Sequence, residues 1–122
     1  DGLQSQAGEL TLAQRRQFVE ALLGAGLRHI EIGSFVSPKA VPQMAGTADL
    51  ARALVGQTEA EFTALVPNMK GYELARAAGV DCIVTPDAPV GPFADALAAL
   101  GPALNSAGID FFCIRRDWDQ AR

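Results

Sequence analysis

An acidic and a hydroxyl side chain at the end of a predicted strand are the first candidates for chemistry. Glu31 lies between two isoleucines, and Ser34 follows where the strand passes into a loop. In parallel α/β architectures, ligands meet side chains at the carboxyl ends of the strands. Burying an unpaired carboxylate costs several kcal/mol. Glu31 is therefore expected to be either a functional group or one half of a structural ion pair.

A second carboxylate, Asp1, is predicted to emerge from a neighbouring strand end. Asp1 and Glu31 would then project into one cleft, where two like charges repel each other unless a cation lies beside them. Mg²⁺ prefers oxygen ligands and suits such a cleft. The alternative is that Asp1 is a solvated loop residue.

The elements that must position these residues alternate between helix and strand. Thr11 and Gln14 have the spacing of a capping box at the start of a helix, and Thr47 is predicted to be the N-cap of the next helix. The dipeptide Gly101-Pro102 is expected to kink or divide the last helix. The predicted helices cover residues 12–23, 70–78 and 93–107 and a segment after 47, and the predicted strands cover residues 27–35, 62–66, 80–84 and 109–114. This alternation predicts an α/β fold with a parallel sheet covered by helices.

Bulk composition narrows the function classes. The 122 residues carry a formal net charge of −4, which argues against nonspecific nucleic-acid binding. Apolar stretches fall short of the roughly 20 residues that span a bilayer, and no signal-peptide pattern opens the sequence, so no membrane partner is expected. Cys82 and Cys113 have no metal-ligand spacing and are predicted to be buried thiols of a cytoplasmic protein.

Three motifs resemble one known family. Glu31-Ile-Gly-Ser-Phe-Val-Ser-Pro-Lys-Ala-Val-Pro-Gln-Met44 resembles the segment after the second strand of hydroxymethylglutaryl-CoA lyases. Asp1-Gly-Leu-Gln4 resembles the end of that family's first-strand motif, and Val66-Pro-Asn-Met-Lys-Gly71 the end of its third strand. The resemblance covers residues 1–84, approximately. It implies a partial (β/α)₈ TIM barrel, incomplete in this chain, since such a barrel typically needs about 250 residues.

The resemblance also implies roles for individual residues. Asp1 matches the aspartate that binds the catalytic Mg²⁺ or Mn²⁺, and Glu31 matches a glutamate needed for catalysis. Ser34 matches a serine at the edge of the substrate pocket, and Gln4 the glutamine of the first motif. The implied reaction cleaves the CoA thioester 3-hydroxy-3-methylglutaryl-CoA into acetyl-CoA and acetoacetate.

Asn68 is a further candidate for substrate binding, because it follows a predicted strand directly. Its amide would contact a ligand there. The alternative is an asparagine that stabilises the local turn.

Other residues depart from the family pattern. The family completes its metal site with a His-x-His pair and an asparagine, and it also has a catalytic cysteine in a glycine-rich loop. The one histidine of this sequence is His29, and neither cysteine has that loop context. Residues 85–122 are predicted to be a divergent βα continuation or a foreign tail. The chain is therefore expected to be an incomplete or inactive fragment of a lyase. The alternatives are a related metal-dependent aldolase or acyl-condensing enzyme, and a noncatalytic α/β fragment that forms a homo-oligomer through unpaired sheet edges.

Overall fold

The computed structural model describes residues 2–3, 5–88 and 90–114. Helices and strands alternate as predicted. In chain order the elements are α1 (Leu12–Gly24), β1 (His29–Ser34), α2 (Thr47–Leu54), β2 (Glu61–Leu65), α3 (Met69–Ala77), β3 (Cys82–Pro86), α4 (Pro92–Ser106) and β4 (Asp110–Ile114), with a 3₁₀ turn at Pro42–Met44. Within these described residues, no helix has the length and apolar character needed to cross a bilayer.

Contacts divide the chain into two compact units, Asp1–Gly79 and Val80–Arg122. In the first unit β1 pairs with β2, and in the second β3 pairs with β4, both in parallel. Over the described ranges the strands form two two-stranded sheets and no closed barrel. The predicted partial α/β fold with parallel strands is confirmed.

The core of the first unit lies between the β1–β2 sheet and the helices α1 and α2. Leu50 of α2 is 1% exposed and packs with Val19 and Leu23 of α1 and with Ile30 and Ile32 of β1. Burying such aliphatic side chains stabilises a fold by about 1.5–3 kcal/mol each. The side chains of Ile30 and Ile32 therefore point to the side of the sheet that the helices cover.

The start of α1 follows the sequence prediction. The Thr11 hydroxyl accepts a hydrogen bond from the Gln14 amide at 3.2 Å, and the Gln14 side chain accepts one from the Thr11 amide at 2.9 Å. This capping box satisfies two amides that have no partner inside the helix. After the helix, Gly26 adopts φ +92°, a left-handed conformation that glycine takes without steric cost.

The predicted N-cap of α2 is wrong. Gly46, with φ +77°, is the N-cap, and Thr47 is already the first helical residue. The Thr47 side chain is buried, and its hydroxyl donates to the Met44 carbonyl at 2.8 Å. The hydroxyl therefore bonds to the preceding turn and not to the amides of its own helix.

In the second unit α4 connects β3 to β4, and it runs unbroken through Pro102. The predicted division of this helix is wrong. Proline removes one backbone hydrogen bond, but Leu97 and Leu104 on either side of it are both buried. Packing of both halves offsets the loss, and the Ser106 hydroxyl donates to the Pro102 carbonyl at 2.8 Å.

Candidate functional site

The carboxyl end of β1 contains a β-bulge. Ile30 pairs with Phe62 and Glu31 with Thr63, but the next pair is Gly33 with Ala64. Ile32 is therefore an extra residue with no partner on β2. Bulges of this kind re-aim the side chains that follow them and are frequent beside active sites.

The bulge decides which face each side chain occupies. Phe62 and Ala64 of β2 pack against the core, whereas Thr63 and Leu65 are exposed. Residues that pair across parallel strands share a face of the sheet. Glu31, the partner of Thr63, and Ser34, the partner of Leu65, consequently lie on the same face, opposite the helices. We call this the open face.

Gly33 turns towards the helices instead. A Cβ atom added to Gly33 would lie 2.6 Å from Thr47 Oγ1 and 2.7 Å from Arg15 Nη2. Both distances are far shorter than a carbon atom tolerates, so a side chain at this position would have to displace the Thr47 side chain and the Arg15 guanidinium. The residue also has φ +150°, in the region that favours glycine.

Arg15 of α1 is the buried charge behind the bulge, with 2% of its surface exposed. Its guanidinium donates to the carbonyls of Ile32 at 2.8 Å and Ala45 at 2.6 Å, and to the Thr47 hydroxyl at 3.3 Å. Desolvation by burial lowers the pKa of Arg15 below its ordinary value, although an arginine remains charged at neutral pH. One side chain thus connects α1, the bulge of β1 and the start of α2.

The two predicted residues of β1 differ in exposure. Glu31 is exposed on the open face, whereas Ser34 is 8% exposed and its hydroxyl lies 3.4 Å from the Leu65 carbonyl. Despite this difference in exposure, the strand pairing brings both residues to the same face and the same end of the sheet. The Glu31 carboxylate can accept hydrogen bonds from a polar ligand, and a serine hydroxyl such as that of Ser34 can donate or accept them.

Asn68 follows the carboxyl end of β2 and is the N-cap of α3. Its side-chain oxygen accepts a hydrogen bond from the Gly71 amide at 2.9 Å. A Cβ atom on Gly71 would lie 2.6 Å from the Phe35 carbonyl oxygen, so the start of α3 approaches the end of β1 closely. The turn-stabilising alternative is thus observed, and the ligand contact of Asn68 stays a prediction.

Asp1 and Gln4 lie outside the residues that the structure describes. The predicted meeting of Asp1 with Glu31 therefore stays a prediction. Across the described residues, no group of three His, Cys, Asp or Glu side chains could hold a metal ion. His29 Nδ1 lies 3.2 Å from Glu61 Oε2, and both side chains are exposed. This pair is at the start of β1 and β2, at the end of the sheet away from Ser34. The described residues alone do not fit a divalent cation.

Sequence reasoning missed Arg15 and Gly33. Arg15 follows a helix start, where a charged residue is normally solvated. The available signal is its spacing, because Arg15, Val19 and Leu23 are four residues apart and form the buried stripe of α1. Gly33 carries no comparable signal in a strand, apart from the general association of strand glycines with bulges.

Comparison with known proteins identifies relatives of this chain. No protein-family model matches it. Hydroxymethylglutaryl-CoA lyase of Pseudomonas mevalonii is 49% identical over 79 residues, which are 65% of this chain and 26% of that protein. (R)-citramalyl-CoA lyase of Chloroflexus aurantiacus is 51% identical over 90 residues, covering 66% of this chain and 28% of that protein.

A comparison with solved structures also finds a hydroxymethylglutaryl-CoA lyase. The crystal structure of hydroxymethylglutaryl-CoA lyase from Pseudomonas aeruginosa superposes with a TM-score of 0.64 at 37% identity, over 88% of this chain and 39% of that one. The chain spans about a quarter of the length of the curated relatives it matches. The match lies on its N-terminal part, and that part of the chain is similar in sequence to hydroxymethylglutaryl-CoA lyases.

Proposed function

We propose that this chain forms part of the active site of a carbon–carbon lyase that cleaves a CoA thioester, 3-hydroxy-3-methylglutaryl-CoA, into acetyl-CoA and acetoacetate. The observation that carries the proposal is the shared placement of Glu31 and Ser34 on the open face. The names of the similar proteins support the substrate class, because both curated relatives are lyases of a CoA thioester.

The reaction would be a retro-Claisen cleavage. A base removes the proton of the 3-hydroxyl, the oxygen electrons form a ketone, and the bond between C2 and C3 breaks. Its electrons become the enolate of acetyl-CoA, which then takes a proton at C2. Positioned groups that hold such protons contribute about 10²–10⁴-fold to rate. We assign Glu31 to this proton chemistry at the substrate hydroxyl, and Ser34 to the edge of the substrate pocket.

The remaining predicted residues belong to the same proposal. Gln4 and Asn68 would contact substrate at neighbouring strand ends. The family resemblance implies Mg²⁺ or Mn²⁺ with Asp1 as one ligand, and further ligands would be needed, because the described residues supply no three-ligand group.

We also propose that residues 85–122 include a divergent βα continuation of the same fold. The P. aeruginosa structure superposes on 88% of the chain, whereas the sequence match to the P. mevalonii lyase covers 65%. The parallel β3–α4–β4 arrangement is the βα unit expected of such a continuation.

A second candidate substrate is citramalyl-CoA. The observation in its favour is the 51% identity to (R)-citramalyl-CoA lyase, which is comparable to the 49% identity to the hydroxymethylglutaryl-CoA lyase of P. mevalonii. Both candidates are CoA thioesters cleaved by a lyase, so kcat/KM for the two substrates separates them.

Two preparations test the proposal. The first is the 122-residue chain with Mg²⁺ and hydroxymethylglutaryl-CoA, from which we expect little or no acetoacetate. The second is a hybrid in which the 79-residue matching segment of the P. mevalonii lyase is replaced by the corresponding residues of this chain. We expect the hybrid to release acetoacetate, because the homologous segment supplies equivalent site residues.

The hybrid also separates the roles of two glutamates on the open face. Glu31→Gln should lower kcat by about 10²-fold or more. Glu61→Gln is the matched control, since Glu61 lies at the other end of the sheet beside His29, and should leave kcat nearly unchanged. A folded hybrid without lyase activity would contradict the proposed function, and equal rates in the two variants would contradict the assignment of Glu31.

A further inference from the structure

We propose that Arg15 is a positioning residue that holds the β1 bulge and thereby keeps Glu31 and Ser34 on one face of the sheet. The consequence for catalysis rests on the proposed function above. The consequence for the strand register does not, and it can be measured on the chain alone.

The contacts of Arg15 lie at the extra residue of the bulge. Ile32 has no partner on β2, so the backbone ladder is interrupted at this residue. Arg15 Nη2 donates to the Ile32 carbonyl at 2.8 Å. Hydrogen bonds from a charged donor are about twice as strong as neutral ones, and this bond is buried. The guanidinium therefore stabilises the bulged conformation directly.

The guanidinium is itself held from the opposite side. Its other terminal nitrogen, Nη1, donates to the Ala45 carbonyl at 2.6 Å. Nη2 also donates to the Thr47 hydroxyl at 3.3 Å, and that hydroxyl in turn donates to the Met44 carbonyl at 2.8 Å. The segment before α2 thus fixes the position of the Arg15 head group. Two of the three acceptors are backbone carbonyls, those of Ile32 and Ala45. The position of the guanidinium therefore depends on the backbone conformation of β1 and of the segment before α2.

Gly33 makes the arrangement specific. The space that a side chain at this position would need is occupied by Arg15 Nη2 and Thr47 Oγ1, at 2.7 and 2.6 Å from an added Cβ. A side chain after Ile32 would push the guanidinium away from its observed place against the Ile32 carbonyl. Arg15, Thr47 and Gly33 thus form one packed unit, which we call the bulge clamp.

The bulge clamp matters because a regular strand would separate the two site residues. Without the extra residue, Ile32 would pair with Ala64 and Gly33 with Leu65. A slip of one residue moves each following side chain to the other face. Ser34 would then point to the helices while Glu31 stayed on the open face.

The first experiment measures the register in the 122-residue chain. Cross-strand nuclear Overhauser contacts report the Ser34–Leu65 pairing, and the Ile30–Phe62 pairing before the bulge serves as an internal reference. We expect Arg15→Met to lose the first set and keep the second, and Arg15→Lys to keep both. Arg16→Met is the matched control, since Arg16 is the exposed neighbour on α1, and should change neither. Retention of the Ser34–Leu65 contacts in Arg15→Met would overturn the proposal.

A milder variant decides the case if Arg15→Met does not fold. Thr47→Val removes one acceptor of the clamp and keeps the side-chain shape. The Phe35 amide, bonded to the Leu65 carbonyl after the bulge, should then exchange its hydrogen at least about threefold faster relative to the Glu61 amide, which is bonded to Arg28 before the bulge. An unchanged ratio would overturn the proposal.

The second experiment uses the hybrid lyase. Displacement of a catalytic group by about 1 Å can cost up to about 10²-fold in rate. We expect Arg15→Met to lower kcat at least about tenfold with little change in KM, and Arg15→Lys to restore most of kcat. A loss confined to KM, or an equal loss in Arg16→Met, would overturn the positioning role. If the unsubstituted hybrid has no activity, the proposed function fails, while the register measurement still decides whether Arg15 holds the bulge.

Discussion

Replacing Gly33 with alanine should destabilise the first unit strongly, and the structure gives the size of the effect. Two penalties arise. The backbone at φ +150° is one that L residues rarely adopt, at a cost of about 1–3 kcal/mol. The added methyl group would also lie 2.6 Å from Thr47 Oγ1 and 2.7 Å from Arg15 Nη2, and overpacking of this kind costs about 1–3 kcal/mol more. The sum is about 2–6 kcal/mol.

A second glycine separates the two penalties. Gly56, in the turn between α2 and β2, has φ +86° but no atom within 4 Å of an added Cβ. Gly56→Ala therefore carries only the backbone cost, partly offset by about 0.4–1 kcal/mol from the lower entropy of the unfolded chain. Gly33→Ala should lower the free energy of unfolding by at least about 1 kcal/mol more than Gly56→Ala does.

Urea unfolding of the full chain measures this difference. Backbone amide signals of Ile30 and Leu50 report the first unit separately from the second. With a urea dependence of about 1–2 kcal/mol per molar, Gly33→Ala should shift the midpoint by about 1 M or more. If Gly33→Ala costs no more than Gly56→Ala, the close approach of Arg15 and Thr47 to this backbone is not present in solution, and the bulge clamp is wrong.

Two further substitutions test the packing of each unit. Leu50→Ala should lower the free energy of unfolding of the first unit by about 2–5 kcal/mol, because Leu50 is 1% exposed and its truncation leaves a cavity. The control is Leu74→Ala on α3, where the side chain is 44% exposed. By the same urea measurement it should cost less than about 1 kcal/mol. Pro102→Ala should raise the thermal midpoint of the second unit, because it restores a helical hydrogen bond and removes the clash of the proline ring, together worth up to about 3 kcal/mol. Pro92→Ala, at the start of α4 where proline is favoured, should not raise it. Equal midpoints in the two variants would mean that Pro102 does not strain the helix.

Local signals made most of the fold predictable. The capping box of Thr11 and Gln14 fixes the start of α1, and alternating apolar residues identify β1. These features depend on residues close together in sequence, so composition and spacing reveal them. The prediction that Thr47 is an N-cap is wrong because it depends on a contact that is not local. The Thr47 hydroxyl is engaged by the Met44 carbonyl and by Arg15, and Arg15 is distant in sequence.

The sequence predicts candidate site residues but not how they are positioned. Family resemblance identified Glu31 and Ser34, and the structure brings both to the end of β1. In the local sequence, the four-residue spacing of Arg15, Val19 and Leu23 is the available signal that Arg15 is buried, and it does not reveal the partners of the guanidinium. A guanidinium is normally solvated; here carbonyls from two separate segments accept hydrogen bonds from its terminal nitrogens, which offsets part of the cost of burial, while Nε is buried without a partner. Such a site depends on tertiary contacts, which periodicity does not encode.

The spacing of Glu31 and Ser34 is itself explained by the bulge. In a regular strand, residues three positions apart face opposite sides of the sheet, so a Glu-x-x-Ser motif would place one of its two side chains in the core. With Ile32 as an extra residue, both Ile32 and Gly33 turn towards the helices and Ser34 returns to the face of Glu31. The arrangement then calls for an apolar residue that fills the core, followed by a residue that leaves room for the Arg15 guanidinium and the Thr47 hydroxyl. Ile32 and Gly33 meet both requirements, so the four residues of the motif are accounted for by one backbone irregularity and the arginine behind it.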